Sequence, residues 1–196
     1  MEALLTLDGN ILLWIQEYLR QDWMTPFWKF ITFLGDGGWF WIAASSALLI
    51  PKRTRHIGIA GLLSLAIGAL ITNVTLKPLI ARTRPYDVVD GLTRLIEKQS
   101  DRSFPSGHTC SSFAAALVYY RYMPKKYGIP MVVLAAMIAF SRLYVGVHFP
   151  TDIIGGILAG AVAAMITCWI LKKTQLEMRI QGKIPAKADA KQENAK

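Results

Sequence analysis

Long apolar runs separated by short polar clusters dominate the chain. Residues 57–76 run for twenty positions without a charge, the length a helix needs to cross about 30 Å of hydrocarbon. Residues 153–171 are also uncharged, and residues 129–147 carry only Arg142, near their far end. Residues 109–122 are shorter, with Arg121 near their end, and lengthen if the helix starts at Ser106. Residues 39–50 are too short alone. They extend back to Thr25-Pro26, where Thr can cap and Pro can take the first helical position, with Gly35-Asp36-Gly37-Gly38 as a break. Residues 3–19 are apolar but interrupted by Asp8, Asn10, Gln16 and Glu17, each expensive in hydrocarbon. They read as an amphipathic interfacial helix or a first span buried by its neighbours. With no basic leader or small-residue cleavage site, they do not read as a cleaved signal peptide.

The pattern predicts an all-α, polytopic integral membrane bundle of five to six transmembrane helices. Three parts follow: an N-terminal segment over 1–25, a membrane domain over 26–171, and a basic tail over 172–196, disordered from 181.

Composition agrees. The chain is 53% apolar and 18% charged, with a mean hydropathy of +0.34, against about 45–50% and 25% for soluble domains. Disorder, a collagenous chain and a disulfide scaffold are excluded, and a free-standing soluble enzyme is disfavoured. The net charge of +9 gains meaning once divided by membrane side. If Lys52, Arg53 and Arg55 face the cytoplasm, as the positive-inside rule directs, the loop over 121–127 and the tail follow them. These three segments carry three, three and seven of the 22 Lys/Arg but only three of the 13 Asp/Glu. The excess therefore reads as topology, with some attraction to anionic head groups. No aromatic-interleaved basic module points to nucleic acid.

Span parity brings three polar clusters to the opposite, outer face. They are Lys77 to Arg84-Pro85; Pro105-Ser106-Gly107-His108; and Ser141-Arg142 with His148 and Asp152. Ionisable groups at a membrane edge are functional candidates. Lys77, Arg84 and Arg142 supply cations, and the arginine fork matches phosphate oxygens. Ser106-Gly107 opens a helix, whose free N–H groups and dipole favour an anion. His148 and Asp152 are four apart, so a carboxylate can fix one imidazole nitrogen and leave the other to attack. His108 can protonate a leaving oxygen. Arg82 reads as an interfacial anchor. Asp36 reads as part of a break or turn rather than a catalytic carboxylate.

These residues resemble the type 2 phosphatidic acid phosphatase family, integral-membrane lipid phosphatases whose core is shared with vanadium haloperoxidases. The family pattern K-x6-R-P, P-S-G-H and S-R-x5-H-x3-D is met by Lys77…Arg84-Pro85, Pro105–His108 and Ser141-Arg142…His148…Asp152. The resemblance implies that His148 becomes phosphohistidine, Asp152 orients it and His108 serves the leaving group. Lys77, Arg84, Ser106, Gly107 and Arg142 would hold the phosphate, with no metal and no cofactor. It implies a multi-pass protein of the bacterial cytoplasmic membrane, with its site on the extracytoplasmic face and its C-terminus inside. The expected partner is a membrane lipid phosphate.

The leading expectation is phosphatidylglycerophosphate hydrolysed to phosphatidylglycerol, with phosphatidic acid as a side substrate. The alternative is undecaprenyl diphosphate, the cell-wall carrier. Some family members associated with that carrier have Asp where Gly107 stands. A haloperoxidase holding vanadate is disfavoured by the spans. A non-enzymatic lipid carrier has no need of a nucleophile–carboxylate pair.

Among structural features, Gly156-x3-Gly160 offers a close packing face. Trp14, Trp23, Trp28, Trp39 and Trp41 fit an interfacial aromatic belt. Leu92, Leu95 and Ile96 suggest a short amphipathic helix on the outer surface.

Overall fold

The computed structural model describes residues 2–174; the predicted disordered tail lies outside them. Among these residues there are eight α-helices and no strand. They are α1 (Glu2–Trp14), α2 (Thr25–Leu34), α3 (Trp39–Ala47), α4 (Arg55–Ala69), α5 (Lys77–Ile80), α6 (Gly107–Tyr122), α7 (Lys125–Tyr144) and α8 (Pro150–Lys173). α1 runs on through a wide π-type turn at Ile15–Leu19, and a second at Leu70–Leu76 joins α4 to α5. Among the described residues, three helical stretches are long and apolar enough to cross a membrane: Arg55–Asp87, Lys125–Tyr144 and Pro150–Lys173.

α6 is the axis of the bundle, packed against α4, α7 and α8. Ala114, Ala115, Ala116, Val118 and Tyr119 are all buried, and small residues let the neighbouring backbones approach closely. A Cβ on Gly156 would stand 2.8 Å from the Ser106 carbonyl oxygen, and one on Gly160 2.7 Å from that of Cys110. The predicted small-residue face on α8 is therefore the seam against α6. The other side of α8 turns Ile154, Leu158, Met165 and Trp169 outward. Small residues inside and large apolar ones outside is the arrangement expected of a helix with lipid as its outer neighbour.

The break at 35–38 is present. Gly37 and Gly38 take φ of 57° and 71°, a left-handed conformation that glycine adopts without a Cβ penalty.

Two expectations need correction. Trp41 is fully buried and donates from Nε1 to Ser112 Oγ at 2.9 Å, and Trp28 packs edge-on against Phe140. Both belong to the core, whereas Trp14, Trp23 and Trp39 are exposed. Nor do residues 92–96 form a helix. Leu92 packs with Leu12 and Phe149, while Leu95 and Ile96 join the Tyr144–Val145–Val147 cluster. Leu95 N–H donates to the Val145 carbonyl at 3.0 Å. The segment must stay open to serve two clusters. It covers core, as a strap drawn across one end of the bundle.

Candidate active site

That end collects the C-terminal end of the α4–α5 stretch, the start of α6, the end of α7 and the start of α8. It is the end opposite the basic turn 52–55 and Lys125 and Lys126.

His148 lies in the α7–α8 turn and is 1% exposed. Its Nε2 is 3.1 Å from Arg84 Nη1, and its Nδ1 is 3.4 Å from Asp152 Oδ2. A guanidinium can only donate, so Nε2 accepts and the proton sits on Nδ1, directed at Asp152. Burial, only partly opposed by the Asp152 hydrogen bond and reinforced by the charges of Arg84 and Arg142, pushes the imidazole down to about 3. At neutral pH His148 is therefore neutral, with its Nε2 lone pair accepting from Arg84 and bearing no proton.

Asp152 is held from several directions. Its Oδ2 accepts from the Phe149 N–H at 2.8 Å and from the Ser103 hydroxyl, and its Oδ1 accepts from Arg82 Nη1 at 2.7 Å. Arg82 also donates to Thr151 Oγ1 at 2.6 Å and to Asp8 Oδ2 at 2.8 Å, and lies 4.0 Å over the Phe149 ring. This corrects the reading of Arg82 as an interfacial anchor. It is a tie between the N-terminal helix and the carboxylate behind His148. Asp8, which looked costly in an apolar helix, is buried because Arg82 and Thr151 pair with it. A buried charge needs such partners.

The three predicted cations surround the same place. Lys77 opens α5, Arg84 follows α5, and Arg142 sits in the last turn of α7. Arg142 is fully buried, with Nη1 donating to Thr32 Oγ1 at 2.6 Å, Nη2 to Gln99 Oε1 at 3.3 Å, and Nε left without a partner. Lys77 and Arg84 both pair with Asp101, Arg84 through Nη2 at 2.5 Å. Burial favours the protonated Asp101 carboxyl, but bonds to and charges of Lys77, with Arg84, win and hold it at about 2. Ser106 caps α6, its Oγ accepting from the Thr109 N–H at 3.4 Å and also from the Thr109 hydroxyl at 3.0 Å. Gly107 follows, where a Cβ would come 3.4 Å from Lys77 Nζ.

His108, in the first turn of α6, faces a cavity of about 660 Å³ that is also lined by Asp36, Lys77, Asp101 and Gly107. Its Nε2 lies 2.6 Å from Asp36 Oδ1. A carboxylate accepts, so Nε2 carries a proton and Nδ1 is left for chemistry. Gly35 makes room for this ring, since a Cβ there would meet His108 Cδ2 at 2.7 Å. The Gly35–Gly38 break thus has a second role that the sequence reading missed: it delivers Asp36 to His108. A carboxylate immediately before a Gly pair was the available signal, but nothing in the sequence shows that it meets an α6 histidine.

An all-α bundle with a buried histidine–carboxylate pair beside three clustered cations is a scaffold suited to phosphoryl transfer. Residues 58–175 match the PAP2 superfamily; the chain belongs to that family. It is 36% identical over 130 residues to an undecaprenyl-diphosphatase of Sulfolobus acidocaldarius, covering 66% of this chain and 63% of the relative. It is 32% identical to an undecaprenyl-diphosphatase of Bacillus subtilis, covering 59% and 56%. The match thus spans under two thirds of both relatives. The crystal structure of a transmembrane PAP2-type phosphatidylglycerolphosphate phosphatase from Bacillus subtilis superposes with a TM-score of 0.72, at 26% identity and 88% coverage of both chains.

Proposed function

We propose that the protein is a lipid phosphatase working through a phosphohistidine on His148. The observation that carries this reading is the His148 geometry: Nδ1–H on Asp152, and a neutral Nε2 beside Arg84 and close to Arg142. Nε2 attacks the terminal phosphorus, and the bond from that phosphorus to the oxygen of the leaving group, a lipid phosphate for a diphosphate or a lipid alcohol for a monoester, breaks. Asp152 stabilises the positive imidazole that forms. His108 Nδ1, unprotonated in the resting ring, takes a proton from the bound phosphate and passes it to the leaving oxygen, and Asp36 on Nε2 stabilises the charged ring formed in between. A water then attacks the phosphohistidine while His108 takes its proton, releasing inorganic phosphate and restoring His148. Lys77, Arg84, Arg142 and the N–H groups at Ser106-Gly107 carry the charge on the phosphoryl oxygens, the main demand of a loose transition state. Charge balance is met by protein cations, and no metal enters the scheme.

The substrate we favour is a polyprenyl diphosphate, because two relatives carry that activity in their names. Phosphatidylglycerophosphate, the leading expectation from sequence, stands as the second reading, on the Bacillus subtilis structure. Gly107 does not separate them. An aspartate there would meet Lys77, and so would bear on phosphate rather than on the lipid tail. By charge distribution the site faces outward across a cytoplasmic membrane, with the C-terminus inside.

Phosphate release measured side by side from undecaprenyl diphosphate, phosphatidylglycerophosphate and phosphatidic acid, in defined micelles with a strong chelator, tests this. Release is expected to persist with chelator and to be fastest from the diphosphate. Release from none of the three overturns the phosphatase; loss that magnesium restores overturns the metal-free scheme. Asp36→Asn is expected to lower kcat by on the order of tenfold with little change in KM, because it weakens the proton donor and not the phosphate contacts. An equal rise in KM alone would contradict its assignment to His108.

A further inference from the structure

Asp101 has no place in the scheme above, yet it holds two of the three cradle cations. Its Oδ2 pairs with Lys77 Nζ and its Oδ1 with Arg84 Nη2, while its own carbonyl accepts from Arg84 Nε at 3.1 Å. Two residues earlier, Gln99 Oε1 accepts from Arg142 Nη2 at 3.3 Å. The loop 99–101, which follows the strap, therefore offers oxygens to Lys77, Arg84 and Arg142 at once, as a phosphate would. Neither Lys77 nor Arg84 lies on a surface where such a pair would form idly: both are buried. The cavity that reaches Lys77, His108 and Gly107 ends at residues 98–102, and its lining includes neither His148 nor Arg142. His148 lies behind this point, with Arg84 on its attacking nitrogen.

We propose that Asp101 is a specificity residue, an internal competitor for the phosphate seat that a ligand must displace to reach His148. The inference rests on the phosphatase reading for its purpose. One carboxylate brings one negative charge, so a ligand with two, such as a phosphomonoester or the terminal group of a diphosphate, displaces it with a Coulombic gain. A phosphodiester brings one and gains nothing. A bilayer presents phosphodiester head groups in large excess, and this exchange keeps them out of the cradle. Asp101 is suited to the task because it stays charged well below neutral pH. Its side chain is also half exposed, so water can receive it when it swings away.

Asp101→Asn in the full chain keeps the size and one acceptor but removes the charge. Binding of inorganic phosphate and of dimethyl phosphate, a monoanionic diester, is measured by ligand-dependent thermal stabilisation in detergent. The variant is expected to bind inorganic phosphate about tenfold more tightly than the unaltered protein and to gain binding of dimethyl phosphate. Asp101→Ala is expected to shift both in the same direction. Weaker or unchanged phosphate binding in both variants overturns the proposal and makes Asp101 a brace for the cations. Phosphate release from the lipid panel, run on the same preparations, tests the phosphatase reading separately. The binding comparison judges Asp101 whether or not the lipids are hydrolysed.

Discussion

His148→Ala is expected to abolish phosphate release, by about 10⁴-fold or more, and to leave the helical bundle folded. The two halves have different causes. Alanine removes the only protein atom in the scheme that bonds to phosphorus, and acid–base and electrostatic groups cannot replace a nucleophile. The fold survives because His148 sits in a turn whose neighbours are held by other contacts. Val147 N–H donates to the Arg142 carbonyl, Val147 O accepts from Arg84, and Phe149 N–H donates to Asp152. Steady-state phosphate release and circular dichroism on the same sample check both halves. Release at the normal rate by a folded H148A protein would remove His148 from the chemistry.

Arg142→Lys is expected to lower kcat/KM by about a hundredfold or more, although the charge is kept. Arg142 is fully buried at the end of α7. Thr32 and Gln99 take its two terminal nitrogens, and Nε has no protein partner. A phosphate oxygen can satisfy that nitrogen while Thr32 keeps the fork in plane. A lysine ammonium is a single point and cannot hold Thr32 and a phosphate oxygen in the same directions. The loss should fall on kcat as well as KM, since the equatorial oxygens gain charge in the transition state. A variant within a few-fold of the unaltered enzyme, measured as kcat/KM on its best lipid, would place Arg142 outside the cradle.

The parts of this site legible in the sequence are those written as fixed spacings. Lys77 and Arg84, Ser106 to His108, and Arg142, His148 and Asp152 each lie within one short segment, and span parity brings the segments to one face. The residues that were missed are joined across long distances in sequence. Asp8 meets Arg82 and Asp36 meets His108, partners 74 and 72 positions apart in the chain. Both carboxylates also precede the stretch that matches the family. In the sequence Asp8 is an apolar helix's defect and Asp36 a turn residue. Only packing of α1 on the start of α8, and the bend between α2 and α3, gives each a cation or a histidine to face.

Helix positions followed from apolar runs, because hydrocarbon and a helical core impose the same demand for length. Residue burial followed less well. Trp41 reads as a belt residue from its type and neighbours, yet Ser112 on α6 supplies the acceptor that lets the indole go inside. The strap was the least legible element. Its leucines have a helix-like spacing, but Leu92 and Leu95 serve different clusters, and tertiary contacts override local periodicity.

The central claim is a covalent bond between His148 Nε2 and the substrate's phosphorus. The direct measurement is an alkaline quench of the full-length protein during turnover of a lipid labelled with radioactive phosphorus, followed by mapping of the labelled peptide. The account predicts label on the peptide containing His148, stable in alkali, lost in acid, and absent from His148→Ala. Label on another residue, or turnover by His148→Ala with the same labelling, would contradict it.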